Sequence, residues 1–116
     1  MKTEFRIQEE CYIWLHNTFP ELRGLYFEIQ NTAFSAISGM VHKAIGRQPG
    51  VADNCLLLPY PFRPIFFEYK TEKGKQSPDQ VRWQKIVNAA KYKYFVIRSI
   101  EDFKKVIHDE YSTQGQ

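Results

Sequence analysis

The sequence predicts a small α/β domain in which helices flank a small mixed β-sheet. Two observations indicate this class: some segments repeat apolar residues at helical spacing, and others are short apolar runs bounded by glycine or proline. A chain of 116 residues, 43% of them hydrophobic, can bury one core but not two. We therefore expect a single domain over residues 1–111 and a polar, frayed tail over residues 112–116.

Four segments have the periodicity or the end signals of helices. They are expected at about Lys2 to Asn17, Thr32 to about Ile45, from Ser77 onward and from Ser99 onward. The expected inward positions are Ile7, Cys11, Trp14 and Leu15 on the first helix, Trp83, Val87 and Ala90 on the third, and Phe103, Val106 and Ile107 on the fourth. On the second helix, Phe34, Ile37, Val41 and Ala44 are expected to lie on one side. The segment Ser77-Pro78-Asp79-Gln80 has the pattern of a capping box with proline at the first helical position.

Four apolar runs are expected to form strands. They are Leu25 to Gln30, Asp53 to Leu58, Ile65 to Thr71 and Tyr92 to Arg98. The two middle runs are joined by the turn-rich segment Pro59 to Pro64, which predicts a hairpin with Asp53 and Glu68 facing each other at one end. Because side chains alternate along a strand, Glu68 and Lys70 should point to one side and Tyr69 to the other.

Two carboxylates and an ammonium are therefore expected to converge on one spot. Oxygen ligands of this kind suit Mg²⁺ or Mn²⁺, which keep several waters and accept phosphate oxygens from a substrate. Lys70 is then placed to act on the attacking water or on the phosphate, so the pattern is typical of metal-dependent phosphodiester hydrolysis. The structural alternative is an ordinary ion pair between Glu68 and Lys70 on a solvated face.

Several longer segments resemble a known family. They are Glu4 to Gln8, Gly50-Val51-Ala52-Asp53, Phe67 to Gln80 and Val96-Ile97-Arg98-Ser99. Together they are similar to the VRR-NUC family within the PD-(D/E)xK nuclease superfamily, and the specific part is the segment from Glu68 to Gln80. Ala52 departs from the family, which usually has a proline before the aspartate; that proline is a backbone element and not a ligand.

The resemblance implies a restriction-endonuclease-like core of the αβββαβ type, here with one helix inserted after the first strand. It implies a site in which Asp53 and Glu68 hold the metal, helped by the backbone carbonyl of Tyr69. It also implies Lys70 as a catalytic residue. Stand-alone members of the family resemble Holliday-junction resolvases and cut branched DNA as homodimers, so both properties are expectations for this chain.

Two further site residues have competing interpretations. Glu4 lies near the centre of the apolar stripe of the first helix, whereas Glu9 and Glu10 lie well to its side, so Glu4 is expected to face the sheet as a third metal ligand. The alternative is a frayed first turn in which Glu4 only complements the helix dipole. Gln80 either closes the capping box or lines the active site, as a glutamine here does in the resembled family.

Cationic residues near this site are candidate phosphate contacts. They are Lys43, Arg47, Lys73, Lys75 and Arg82. Solvated surface charge is the alternative for each of them, and the net charge of +3 permits binding to a polyanion without proving it. Gln30-Asn31-Thr32 and Gln48 are further candidates for the wall of a nucleic-acid groove or for simple caps.

Composition excludes other classes of site. Cys11 and Cys55 lie 44 residues apart in apolar stretches, and the three histidines are scattered, so we expect buried free thiols and no zinc site. No phosphate-cradling glycine loop is present, no apolar run is long enough for a membrane helix, and no signal peptide opens the chain. The chain is thus expected to be cytoplasmic and unprocessed.

The combined interpretation is a Mg²⁺- or Mn²⁺-dependent endonuclease that cuts DNA, preferably branched DNA, as a homodimer. One alternative is a non-catalytic module that binds nucleic acid through the same fold. A second is a nuclease subunit that acts only within a larger replication or repair assembly.

Overall fold

The computed structural model describes residues 1–30 and 36–112 of the chain. In this part of the chain the predicted order of elements is confirmed. The elements are α1 (Glu4–Thr18), β1 (Tyr26–Glu28), α2 (Ala36–Ala44), β2 (Asn54–Leu56), β3 (Ile65–Tyr69), α3 (Pro78–Ala89), β4 (Lys93–Ile97) and α4 (Ile100–Ile107). The strands are shorter at their ends than predicted. The start of the second helix at Thr32 and residues 113–116 of the expected tail lie outside the described residues.

Two short helical turns were not predicted. A 3-10 turn at Pro20–Leu22 follows α1, and a π-helical turn at His108–Ser112 continues α4. Ser112 is the last residue of this turn. Within residues 1–30 and 36–112, no helix is long and apolar enough to cross a membrane.

The four strands form one mixed sheet in the order β1-β2-β3-β4. β2 and β3 are an antiparallel hairpin in which Asn54 faces Phe67, and β1 pairs antiparallel with the other edge of β2. β4 runs parallel to β3, because α3 carries the chain from the end of β3 back to the edge of the sheet where β3 begins. The predicted small mixed sheet flanked by helices is thereby confirmed.

Helices cover both faces of the sheet. The larger core lies under α1 and α4, and its buried side chains include Ile7, Cys11, Leu15, Tyr26, Leu56, Ile65, Phe67, Tyr69, Ile97, Phe103 and Ile107. A smaller core under α3 contains Ala52, Val87 and Tyr94, with Phe66, Trp83 and Val96 packed against it. The apolar stripes of α1 and α4 are therefore confirmed, and both cysteines are buried free thiols, as expected.

One predicted inward position is wrong, and one predicted apolar side is uncovered. Ala90 is exposed, because α3 ends at Ala89 and Ala90 only caps it. On α2, Ile37 and Val41 are 75% and 55% exposed, and Ala44 is also exposed. The apolar stripe of α2 is real, but its side chains are not covered by the rest of the described chain. Phe34 lies outside the described residues.

Gly50 holds the segment before β2 against the start of α3. Its φ is +78°, and a Cβ atom there would lie 2.2 Å from the carbonyl oxygen of Asp79 and 2.7 Å from the amide nitrogen of Gln80. Both distances are far below van der Waals contact, so the close approach requires glycine. This contact sets Asp53, three residues later, beside the first turn of α3.

We predict that Gly50→Ala destabilises the protein much more than Gly24→Ala. Gly24 also has a positive φ, +86°, but a Cβ there would meet nothing within 4 Å. Gly24→Ala should therefore cost only the backbone strain, about 1 kcal/mol, whereas Gly50→Ala adds a backbone clash and should cost a few kcal/mol. Denaturant unfolding of both variants measures the difference. Equal losses would show that the chain near Gly50 moves away from α3 at little cost.

Candidate active site

Asp53 lines a cleft of about 430 Å³ at one end of the sheet. The cleft is bounded by the end of β1, the segment that leads into β2 and the first turn of α3. Its lining residues are Glu28, Ile29, Gln30, Gly50, Val51, Ala52, Asp53, Ser77, Asp79 and Gln80. Three separate segments therefore meet at the point where the hairpin was predicted to bring its acidic groups together.

Asp53 is fixed at the start of β2 by the neighbouring strand. Its Oδ2 accepts a hydrogen bond of 2.7 Å from the backbone N–H of Tyr69. The hairpin register, with Asn54 opposite Phe67, sets Asp53 opposite Glu68. The prediction that the two carboxylates face each other across the hairpin end is therefore confirmed.

Glu68 is almost completely buried, with 1% of its surface exposed. Its Oε2 accepts a hydrogen bond of 2.8 Å from Nε2 of Gln80, and its Oε1 accepts one of 3.3 Å from the hydroxyl of Tyr94. The ammonium of Lys70 lies 3.8 Å from Oε2. Two uncharged donors and one cation at the limit of ion-pair distance therefore hold this carboxylate, and the alternative of a solvated ion pair is excluded.

The alternation along β3 is also as predicted. Glu68 and Lys70 share one side of the strand, while Tyr69 points into the larger core, where its hydroxyl is hydrogen-bonded to that of Tyr26. The backbone N–H of Lys70 donates to the carbonyl of Ile97 at 3.0 Å, so the residue after the strand is still tied to β4. Lys70 itself is 9% exposed.

Burial and charge together disfavour the ionised form of Glu68. Loss of solvation is the largest effect, and the adjacent Asp53 carboxylate adds to it, while Lys70 acts in the opposite direction. The net result raises the pKa of Glu68 from its ordinary value of 4.5 to about 8. A nearby divalent cation would reverse this balance, because it stabilises both carboxylates in their charged forms.

The residues present fit a hard divalent cation. Across residues 1–30 and 36–112, no group of three or more histidine, cysteine, aspartate or glutamate side chains is placed to hold a metal ion. Mg²⁺ needs fewer protein ligands than that, because it is often bound by one or two carboxylates and retains several waters. Asp53 and Glu68 supply such a pair, and the open cleft beside them leaves room for water and substrate oxygens.

Glu4 is the first residue of α1, one turn before the first buried position at Ile7, and it is exposed. One turn after Glu4, Gln8 reaches the strands: its Nε2 donates to Oδ1 of Asn54, next to Asp53. The role of Glu4 as a metal ligand stays a prediction.

Gln80 combines the two roles that the sequence set in competition. Its side-chain oxygen accepts a hydrogen bond of 2.8 Å from the backbone N–H of Ser77, and Oγ of Ser77 accepts one from the Gln80 backbone, so the capping box is confirmed. The other end of the same amide, Nε2, donates to Glu68. The helix cap therefore orients a side chain of the site.

Tyr94 is a site residue that sequence reasoning missed. Its hydroxyl, besides donating to Glu68, lies 3.4 Å from Nε2 of Gln76, which also donates to Gln84 at 3.0 Å. The sequence marks Tyr94 only as part of a strand. A tyrosine on the face shared with Val96 could have been suspected, but the spacing alone does not tell which face of β4 meets the site.

The predicted phosphate contacts lie outside this buried cluster. Lys43, Lys73, Lys75 and Arg82 are exposed, and Arg47 is half-buried. Lys73 and Lys75 belong to the loop that directly follows Lys70, and Arg82 lies in the second turn of α3. Their contact with nucleic acid stays a prediction, as does the metal contact of the Tyr69 carbonyl.

We predict that Glu68→Gln stabilises the metal-free protein at alkaline pH. Because the folded pKa of Glu68 is raised, its contribution to stability is full below about pH 4.5 and is lost as the pH rises through about 8. Glutamine cannot ionise, so in EDTA the variant should melt higher than the parent by roughly 5 °C or more near pH 9, and by much less near pH 5. Thermal melts across this range measure the effect.

Glu72→Gln is the matched control for this experiment. Glu72 is exposed in the loop after β3, so its variant should follow the parent at every pH. A Glu68→Gln variant that melts below the parent near pH 9 would contradict the assigned burial cost. So would a variant whose melting temperature exceeds that of the parent by the same margin at every pH.

The fold has counterparts among solved structures. No model of a protein family matches the sequence, and no curated protein matches it. One solved structure, described as a VRR_NUC domain protein, superposes with a TM-score of 0.81 over 97% of this chain and 90% of its own, at 15% identity. Another, described as a VRR_NUC domain, has a TM-score of 0.61 over 95% of this chain and 100% of its own, at 22% identity. The chain therefore has the fold of these VRR_NUC domain structures.

Proposed function

We propose that this protein is a divalent-metal-dependent endonuclease that hydrolyses phosphodiester bonds of DNA. The observation that carries the proposal is the convergence of Asp53, Glu68 and Lys70 at the end of one hairpin, beside an open cleft. A buried carboxylate beside a half-buried one is costly to maintain unless a cation neutralises the pair, and a metal ion would supply that neutralisation. The VRR_NUC fold supports the same conclusion.

Each residue of the site has a proposed task. When bound, the metal would stabilise the charge that develops on the scissile phosphate. Asp53 and Glu68 hold it, and the Tyr69 N–H and the Gln80 amide keep these two carboxylates in place. The Tyr69 carbonyl and Glu4 are proposed as further ligands. Mg²⁺ and Mn²⁺ are the expected ions, because both prefer oxygen ligands.

Lys70 acts on the reacting groups and not on the metal. Its ammonium lies 3.8 Å from the Glu68 carboxylate, and its proposed task is to donate to a phosphate oxygen or to orient the attacking water. An ammonium cannot ligate a cation, and its positive charge opposes metal binding slightly. The proposed mechanism thus separates the residues that bind metal from the residue that assists chemistry.

The charges of the described helices favour one side of the sheet for DNA. α1 carries Glu4, Glu9 and Glu10 against a single Arg6, whereas α3 carries Arg82 and Lys85 against a single Asp79. A polyanion is therefore repelled by the α1 layer and attracted to the α3 layer, which also borders the cleft. Lys73, Lys75 and Arg82, with Lys43 and Arg47, are proposed to contact the phosphates there.

Two other functions remain as alternatives. A non-catalytic module that binds nucleic acid would need the cationic face. It would not need the buried carboxylate of Glu68 beside Asp53, because the cost of that arrangement has no role in such a module. A nuclease subunit within a larger replication or repair assembly would use the same site, with its selectivity supplied by other proteins. Cleavage of DNA by the isolated protein would exclude the non-catalytic module. Selectivity of the isolated protein among DNA structures would show that other proteins are not needed to supply it.

We predict that metal binding and chemistry separate by mutation. Lys70→Ala should bind Mn²⁺ as well as the parent or more tightly, while its single-turnover cleavage of DNA falls by roughly 10²-fold. Glu68→Ala should lose both properties, Asp53→Asn should abolish cleavage, and EDTA should stop the parent. In its affinity for Mn²⁺, Glu4→Ala should lie between Lys70→Ala and Glu68→Ala, because Glu4 is proposed as a further ligand. Calorimetric titration with Mn²⁺ beside the cleavage assay measures both properties.

Glu10→Ala is the control, because Glu10 lies on α1 and pairs with Lys2. It should leave metal binding and cleavage unchanged. Undiminished cutting in EDTA would refute the proposed function, and a Lys70→Ala variant that cuts at the parent rate would refute the role of Lys70.

We further propose that the protein prefers branched DNA and acts as a homodimer. The described part of the chain offers one such site, and two symmetric cuts at a branch need two. The proposed contact surface is the uncovered stripe of α2 and the residue that follows it, which consists of Ile37, Met40, Val41 and Ile45. Its four side chains are 55% to 76% exposed, and such a row of apolar side chains is a costly arrangement for a free surface. A second copy of α2 would cover it.

We predict that Ile37→Glu converts a dimer into a monomer. A buried charge at the contact is costly, so light scattering at tens of micromolar should give twice the chain mass for the parent and once that mass for the variant. The preference for a four-way junction over plain duplex should fall with the dimer. Ile13→Glu, at an isoleucine of α1 that is 50% exposed, is the matched control and should stay dimeric. A monomeric parent that cuts junction and duplex equally would count decisively against the dimer.

A further inference from the structure

The loop that follows Lys70 is held by one side chain from the end of β4. Nη1 of Arg98 lies 2.8 Å from the carbonyl oxygen of Thr71, 2.6 Å from that of Gly74 and 3.4 Å from that of Glu72. A planar guanidinium is thus directed at the carbonyls of a single turn. Arg98 was part of the family resemblance, but neither the sequence nor the proposed reaction gives it a task.

The turn itself is tightly closed. The N–H of Gly74 donates to the carbonyl of Thr71 at 3.1 Å, and a Cβ on Gly74 would lie 2.9 Å from Oγ1 of Thr71. Thr71 O therefore accepts from both Gly74 and Arg98. The turn presents Lys73 to solvent, and Lys75 follows it.

The base of the Arg98 side chain is equally well anchored. Its backbone N–H donates to Oδ2 of Asp102 at 3.0 Å, and Ser99 caps α4 by accepting from the Asp102 N–H. One residue earlier, the carbonyl of Ile97 accepts from the N–H of Lys70. The junction of β4 and α4 consequently holds the backbone of Lys70 and of the turn after it.

The carboxylates of the site are held by other residues. Glu68 is oriented by Gln80 and Tyr94, and Asp53 by the N–H of Tyr69. None of these bonds includes Arg98. The site is therefore held by two separate sets of contacts. One set, from Gln80, Tyr94 and the hairpin, holds the two carboxylates. The other set, from the end of β4, holds the backbone of Lys70 and the turn after it.

We propose that Arg98 is a positioning residue for Lys70 and for the cationic turn that carries Lys73 and Lys75. This inference rests on the proposed nuclease function. Arg98 does not touch the reacting atoms; its bonds to the turn keep the Lys70 ammonium and the phosphate-binding cations in register with the metal-holding carboxylates. Displacement of a catalytic group by about 1 Å can cost roughly 10²-fold in rate. Loss of the Arg98 contacts should therefore slow the cleavage step.

The test compares Arg98→Ala with Asp102→Ala, which weakens the same junction from the α4 side and leaves the guanidinium intact. Arg98→Ala should lower single-turnover cleavage at saturating DNA by roughly 10-fold to 100-fold while its affinity for Mn²⁺ stays within about twofold of the parent. Added guanidinium at low concentration should restore part of the rate in Arg98→Ala. Arg98→Lys keeps the charge but lacks the planar group of donors, so it should be intermediate. Asp102→Ala should cleave at close to the parent rate.

Trypsin digestion gives a second reading that is independent of DNA cleavage. Trypsin cuts after lysine, so Lys73 and Lys75 report whether the turn is closed. Both bonds should be cut several-fold faster in Arg98→Ala than in the parent, and at the parent rate in Asp102→Ala. If Arg98→Ala does not fold, Arg98→Lys supplies the same comparison.

Two results would overturn the inference: cleavage by Arg98→Ala at the parent rate, or a loss of Mn²⁺ affinity as large as the loss of rate. If trypsin cuts after Lys73 and Lys75 no faster in Arg98→Ala than in the parent, Arg98 does not hold the turn closed, whatever the rate of DNA cleavage. A parent protein that does not cut DNA at all would instead refute the proposed function, and the digestion would then report on the Arg98 contacts alone.

Discussion

The burial of the Glu68 carboxylate beside Asp53 is the constraint on which the rest of the site depends. A carboxylate removed from water and set next to another is unstable in its charged form unless donors and cations surround it. The chain supplies donors from three directions: Gln80 from a helix cap, Tyr94 from the parallel strand, and Lys70 from the residue after β3. Each of the three belongs to a different local structure.

The mixed sheet explains how these donors reach one point. The antiparallel hairpin brings Asp53 to Glu68, and the parallel crossover through α3 returns the chain beside β3, which brings Tyr94 within reach. The same crossover leaves the N-terminal turn of α3 at the cleft. Gly50 then allows the backbone before β2 to lie directly against that turn. The cleft thus owes its shape to backbone contacts, while its chemistry comes from a few side chains.

Local rules predicted the parts of the site that lie close together in the chain. The alternation of β3 was enough to separate Tyr69 from Glu68 and Lys70, and the capping box at Ser77 was correct. Local rules did not predict what covers each helix: Ile37 and Val41 of the predicted apolar side of α2 are both exposed. Periodicity describes the faces of a helix and not what packs against them.

By itself, the sequence determined the order of helices and strands, the hairpin that pairs Asp53 with Glu68, and the start of α3, because these follow from the hydrogen bonds and side-chain directions of neighbouring residues. Only the tertiary structure decided that the Gln80 amide serves the helix cap and the site at once, that Tyr94 completes the surroundings of Glu68, and that Arg98 closes the loop after Lys70. These contacts join residues 12 to 27 positions apart, across different elements. Their distances depend on the packing of whole helices and strands, which local periodicity does not encode.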